Sequence, residues 1–247
     1  MDGCQADESI GDCCLMKKLL YVPVIHVESD MGGISSTIDK RSEEVCGKQR
    51  WEMHKQTVTT FWDQIEGYFK KLDAGNLRIY QDGLMADGEL GQKIIREGAG
   101  QGSRNYRIVL DLINNGGEIR KTEDIALLKE EYARILKLAQ SKSLWERTTA
   151  YIGYRVHKDQ LMEKRDRFIA KTINETLKEK EGGVLFIGAF HDVLPYFDKD
   201  IVVEKIKNRE KVRDYFKLLI SGGNEEKFNQ LAEYLTAEVQ GSGLIED

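Results

Sequence analysis

Two short apolar runs constrain this chain more than anything else in it. Leu19-Leu-Tyr-Val-Pro-Val-Ile-His26 lies near the start, and Gly183-Val-Leu-Phe-Ile-Gly-Ala-Phe-His191 lies near the end. Each has the length of a strand and is too continuously apolar for one with a wet face, so both read as strands buried on two sides. Each stops at a histidine followed at once by acids: Glu28 and Asp30 after the first, Asp192 after the second. In an open α/β sheet, ligands bind beyond the carboxyl ends of the strands. Two buried strands that each deliver a histidine there imply one site built from both ends of the chain.

The stretches between them alternate helix and strand periodicity. From Lys48 to Leu72 the apolar residues Trp51, Val58, Phe61, Trp62, Ile65, Tyr68, Phe69 and Leu72 recur at three- and four-residue steps, one helical stripe. Asn76 to Asp82 reads as a second strand, and Glu118 to Thr122 as a third. Gly88 to Gly102 reads as a short helix running into a glycine-rich loop, Gly98-Ala-Gly-Gln-Gly102. Asn105 to Asn115, Asp124 to Gln140 and Leu144 to Leu177 read as helices. Ile201 to Val203 suggests an edge strand, and amphipathic helices follow from about residue 204. Pro23 predicts a bulge or an edge position in the first strand, because proline donates no ladder hydrogen bond. The order of elements predicts a single α/β domain, a central mixed or parallel sheet flanked by helices, with helix dominating. That domain is expected over 16–247, after a flexible extension, 1–15, that ends where Met16-Lys17-Lys18 resembles a second start.

Charge and cysteine usage narrow the function. Charged residues make up 32% of the chain, yet the net charge is only −5, so no basic face for nucleic acid is expected. No apolar run approaches the roughly 20 residues that span a bilayer, so no membrane is expected either. The acidic N-terminus lacks the plan of a secretory signal, which points to the cytoplasm. Of four cysteines, Cys4, Cys13 and Cys14 crowd the first fourteen residues without histidines at zinc spacing, and Cys46 stands alone. No Gly-x-Ser-x-Gly elbow is present and no cysteine has an evident base, which disfavours serine and cysteine nucleophiles.

The residue types at the strand ends favour metal-assisted or acid–base chemistry. Neutral imidazole is a common ligand of divalent transition metals, and carboxylates complete such sites. His26, Asp30, His191 and Asp192 are therefore the candidate ligands of a divalent ion, Mn, Co or Zn. Glu28 and Asp30 alternate after His26 and, in an extended chain, turn to its side. Glu28 is the candidate general base, and Asp192 also suits the role of orienting His191. Asp82 and Glu123 add carboxylates to the same crevice if the strands run parallel, and a metal-bound water would serve as the attacking hydroxide. His54 and His157 sit in helical stretches and read as surface or core-edge residues. The glycine-rich stretch from Gly98 lacks the Lys-Ser/Thr of a phosphate loop.

Gly188-Ala-Phe-His191, preceded by a buried strand and by Arg165-Asp-Arg-Phe-Ile-Ala-Lys-Thr-Ile-Asn-Glu-Thr-Leu177, resembles the C-terminal half of the TraB/ChaN/Tiki (erythromycin-esterase-like) superfamily. The likeness runs over roughly 18–205 in order of elements. The first motif reads Pro23-Val-Ile-His26 in place of Gly-x-x-His, and Gln81-Asp82 stands where that group tends to carry a glutamate. Ile25-His-Val-Glu-Ser-Asp-Met-Gly32 and Ile187-Gly-Ala-Phe-His-Asp-Val193 also look like the signature of a prokaryotic branch. The resemblance implies an α/β fold with a pocket between the two histidine motifs, and it places one guanidinium, from Arg165 or Arg167, beside that pocket, with Arg165 the candidate and at least one of the two on a solvated helix face. It implies a metal-dependent or esterase-like hydrolase of a small-molecule or peptide substrate. The second reading is a haem-like ligand binder or sensor without turnover. A third reading is an assembly subunit docking through the stripe Phe228, Leu231, Leu235 and Val239. A homo-oligomer stays open.

Overall fold

A computed structural model describes residues 16–25, 46–130, 133 and 144–239, the side chains of 144–158 excepted. His26, Glu28, Asp30, the extension 1–15, the side chain of His157 and most of the helix expected before residue 140 lie outside the described residues.

Five strands form one parallel sheet, as the α/β reading requires. They are β1 (Lys17–Val24), β2 (Leu77–Gln81), β3 (Glu118–Arg120), β4 (Gly182–Gly188) and β5 (Ile201–Lys205), in the spatial order β3-β2-β4-β1-β5. The two histidine strands are neighbours, with Leu20 opposite Val184 and Val24 opposite Gly188. On the other side of β4, Gln81 lies opposite Phe186. Every pairing is parallel, so the carboxyl ends of all the strands meet at one edge of the sheet. Pro23 lies past the last β1–β5 pair, Tyr21 opposite Lys205. There, among the described residues, β1 has a neighbour on one side only, the setting that tolerates a missing donor.

The alternation of side chains along the strands divides the core. Leu20, Val22 and Val24 of β1 join Val184 and Phe186 of β4 on one face. Leu19 and Tyr21 join Leu185 and Ile187 on the other. The first face is covered by α1 (Lys48–Phe69), α2 (Gly88–Gly100), α3 (Arg104–Asn114), α5 (Arg209–Ser221) and α6 (Glu225–Thr236). Its apolar stripe Trp51, Val58, Phe61, Trp62, Ile65 and Phe69 is buried as the spacing predicts. The second face packs against the C-terminal half of α4 (Leu144–Thr176), through Ile169 and Ile173. A core closed on both faces explains why β1 and β4 are apolar at nearly every position. The stripe of α6 is spent inside this core, with Phe228 and Leu235 fully buried.

Polar caps set several helix starts. Ser103 Oγ accepts from the Tyr106 amide at α3, Asn208 from Lys211 at α5, and Asn224 from Lys227 at α6. The stretch from Gly98 to Gly100, expected as a loop, is the last turn of α2. A side chain on Gly98 would place its Cβ 2.5 Å from the Tyr106 ring, so the glycine is there to let α3 approach. That packing role leaves no phosphate loop at this point.

Candidate active site

The turn after β4 carries Gly188 to Asp192, and it brings His191 over the end of the sheet. The His191 amide bonds back to the Gly188 carbonyl at 3.1 Å, which curls the chain so that the ring points inward. It is 5% exposed. Its Nδ1 meets Asp166 Oδ1 at 2.5 Å, and its Nε2 faces Asp82 Oδ2 at 3.4 Å. Burial works against a charge on this ring. The hydrogen bond with Asp166 and the charges of Asp82 and Asp166 outweigh it, and the imidazole holds its proton more tightly than an ordinary histidine.

Each neighbour is itself held. Asp82 follows β2, with its amide on the Phe186 carbonyl (2.8 Å) and its Oδ2 accepting from the Gly188 amide (3.0 Å). The next residue, Gly83, turns the chain away at φ 82°. Asp166 projects from α4 and also accepts from the Asp192 amide at 2.9 Å, so one carboxylate fixes both the ring and its loop. Arg165, one residue earlier, forks onto Glu123, with Nε to Oε2 at 3.1 Å and Nη2 to Oε1 at 2.5 Å. Its Nη2 lies 3.4 Å from Asp82 Oδ1. Burial, and after it the charge of Asp82, keep the Glu123 carboxyl above the usual carboxylate range despite Arg165. Parallel β2, β3 and β4 thus bring Asp82, Glu123 and His191 together, as expected, with Arg165 between two of them. Arg167 points out to Glu163 on the helix surface.

Asp192 sits elsewhere than its expected place beside the ring. Its Oδ1 accepts from Arg209 Nη1 at 2.6 Å, and the same guanidinium nitrogen donates to the His191 carbonyl at 2.7 Å. The carboxylate that orients His191 is Asp166, which sequence reasoning missed. Its only trace in the sequence is its place inside Arg165-Asp-Arg167, and distinguishing it from a surface acid needs the helix orientation.

The floor made by Asp82, Arg165 and His191 opens into a cleft of about 700 Å³. Among the described residues its walls include Trp51, His54, Tyr106, Met162, Phe190, Phe216, Leu219 and Ile220. Among the described residues no group of three or more histidines, cysteines or acids is disposed to hold a metal ion. The reason is visible in the bonding, because both His191 nitrogens face carboxylates, Glu123 is engaged with Arg165, and Asp192 with Arg209. These donors do not fit a metal as they stand. His26, Glu28 and Asp30 of the expected set lie outside the described residues. Ile25, immediately before His26, is buried, and its carbonyl accepts from the Trp62 indole at 3.1 Å, next to the end of β4.

No family model, no curated protein and no solved structure matches this chain. Among the described residues no helix is long and apolar enough to cross a membrane.

Proposed function

We propose that the chain is a hydrolase, distantly related to the TraB/ChaN/Tiki group, that splits an acyl bond of a small-molecule or peptide substrate with activated water. The observation that carries this is His191, buried between Asp82 and Asp166 at the floor of an apolar cleft on the carboxyl edge of a parallel sheet. A protonated His191 anchored through Nδ1 presents its Nε2–H toward Asp82 across a gap of 3.4 Å, longer than a good hydrogen bond and open to a substrate oxygen. In this reading a water oxygen adds to the acyl carbon and its proton passes to the Asp82 carboxylate. The carbonyl oxygen, now an oxyanion, is held by the His191 Nε2–H. The bond to the leaving group then breaks, and the leaving atom takes the proton from Asp82.

The same reading argues against an axial ligand for haem, because a His191 protonated on both ring nitrogens offers an iron no lone pair. A divalent ion enters as an arm of the test. Hydrolysis of acyl esters and short peptides is measured after chelation and again with added Mn, Co or Zn, for wild type, His191→Ala and Asp82→Asn. Turnover that survives chelation and falls on the order of a hundredfold or more in both variants supports the acid–base reading. Turnover that appears only with an ion, and needs His26 or Asp30, moves the chemistry to a metal. No turnover with any substrate or ion sinks the hydrolase reading.

A further inference from the structure

The cleft holds a second histidine that the acid–base floor does not use. His54 lies on α1, spaced to follow Trp51 by one turn of the apolar stripe. It is buried, and its ring sits among aromatic rings: Trp51 at 4.9 Å, Tyr215 at 5.8 Å and Phe216 at 5.9 Å between centroids. Its Nδ1 is tied to the Tyr215 hydroxyl at 3.1 Å. That bond fixes the ring plane and leaves Nε2 as its other polar atom. Burial lowers the pKa of this ring to about 4, so it is uncharged at neutral pH. Trp51, His54 and Phe216 line the same cleft as Asp82 and His191.

The distribution of charge in that cleft restricts its ligand. Among the described residues that line it, the acidic and basic side chains besides His54 are Asp82, Arg165 and His191, and all three are on the floor and engaged with one another. The walls are aromatic and aliphatic. An ionic group on the ligand's body would lose its hydration against those walls and find no counter-ion on them among the described residues. A neutral polar group would meet neutral partners, among them the imidazole of His54, held at a fixed angle by Tyr215.

We propose that His54 is a substrate-reading residue, and that the cleft takes an uncharged ligand with an aromatic or branched apolar body. Such a ligand sets its acyl group on the Asp82–His191 floor and a hydroxyl or amide of its body on His54. The inference rests on the hydrolase reading for what happens at the floor. It concerns binding on the wall, so the two are separable.

Phenyl butanoate, its ring-hydroxylated isomers and an isomer carrying a ring carboxylate serve as substrates. Ketones in which a methylene replaces the ester oxygen serve as ligands that cannot be hydrolysed. Dissociation constants of the ketones are measured for wild type, His54→Phe and His54→Gln. In wild type, one hydroxylated ketone is expected to bind roughly tenfold tighter than the unsubstituted one, about the worth of one hydrogen bond between neutral groups, and the carboxylate weaker than either. His54→Phe removes that preference without weakening the unsubstituted ketone, and His54→Gln restores part of it. The proposal is overturned if wild type shows no preference, binds the carboxylate best, binds none of the ketones, or keeps its preference in His54→Phe. It is also overturned if His54→Phe slows all the esters alike. Ketones that bind with the expected preference while no ester turns over would remove the hydrolase reading and leave His54 in its role.

Discussion

His191 and His54 line one cleft, and their surroundings push their titrations in opposite directions. His191 rests among acids and arginines at the end of the sheet, where Asp166 and Asp82 overcome burial and tighten its hold on its proton. His54 rests among Trp51, Tyr215 and Phe216, where burial acts unopposed and keeps the proton off. Depth does not separate them, since both are nearly fully buried. The difference is the carboxylates. Titratable groups pushed apart within one cleft are a common mark of divided roles in catalysis.

Breaking the floor should have the largest effect. Arg165 is the guanidinium that neutralises Glu123, whose side chain has no exposure at all. Arg165→Ala leaves that carboxylate buried and unpaired, and a loss of about 3–5 kcal/mol in unfolding free energy is expected from chemical denaturation. The double variant Arg165→Met with Glu123→Leu removes both charges and should be more stable than Arg165→Ala alone. If Arg165→Ala costs less than about 1 kcal/mol, the floor is wetter than its bonding indicates.

The opposed titrations of the two rings predict a stability curve that falls on both sides of the ordinary histidine value. For His54, the unfolded ring takes a proton near 6.5 and the folded ring only near 4. Between those values the unfolded chain binds more protons, so stability falls as pH drops, by about 3 kcal/mol for this group. For His191 the folded pKa is the higher one. The stability it contributes is complete below 6.5 and is lost as pH rises through the folded value. Urea midpoints against pH should therefore be flatter on the acid side for His54→Phe than for wild type. The alkaline side should be flatter for His191→Gln. Equal acid limbs in wild type and His54→Phe would mean that His54 protonates in the folded state as readily as in the unfolded chain.

Much of this cleft's frame could be read from the chain alone, and its unequal histidines could not. The apolar runs of β1 and β4, with no polar alternation, already require a sheet covered on both faces, whereas the choice between a mixed and a fully parallel sheet is settled only by the strand pairing. Asp82, Glu123 and His191 could be placed at one edge because each ends a strand, and a parallel sheet brings such ends together. Helix-borne partners escaped. Asp166 and His54 lie within long helices whose side-chain direction depends on rotation about the helix axis. Spacing places Trp51 in the stripe, yet His54, one turn on, reads as surface or core edge until Tyr215 and Phe216 arrive from α5, 161 residues later for the Tyr215 bond. Asp192 was assigned to His191 by adjacency, but successive residues in a turn point apart, and Arg209 at the start of α5 claims it. The glycine-rich segment was misread for a related reason, since Gly98 answers to Tyr106 on the next helix.

The comparison is sharpest when each ring loses its one fixed partner. Asp166→Asn keeps a hydrogen-bonding atom near His191 Nδ1 and removes the charge. Burial then prevails and the His191 pKa should fall, as followed by NMR of the ring carbons, with a stability loss of about 2 kcal/mol for a hydrogen bond to a charged group. Tyr215→Phe takes the hydroxyl from His54 Nδ1 while the ring stays stacked on Phe228, 4.9 Å away. The expected loss is smaller, about 1 kcal/mol, because both groups are neutral. Its pH dependence should match wild type, since burial, and not the hydroxyl, depresses the His54 pKa. A His54 value that climbs back toward 6.5 in Tyr215→Phe would show that the hydroxyl keeps water out of the wall. The two histidines would then differ by what seals them as much as by what charges them.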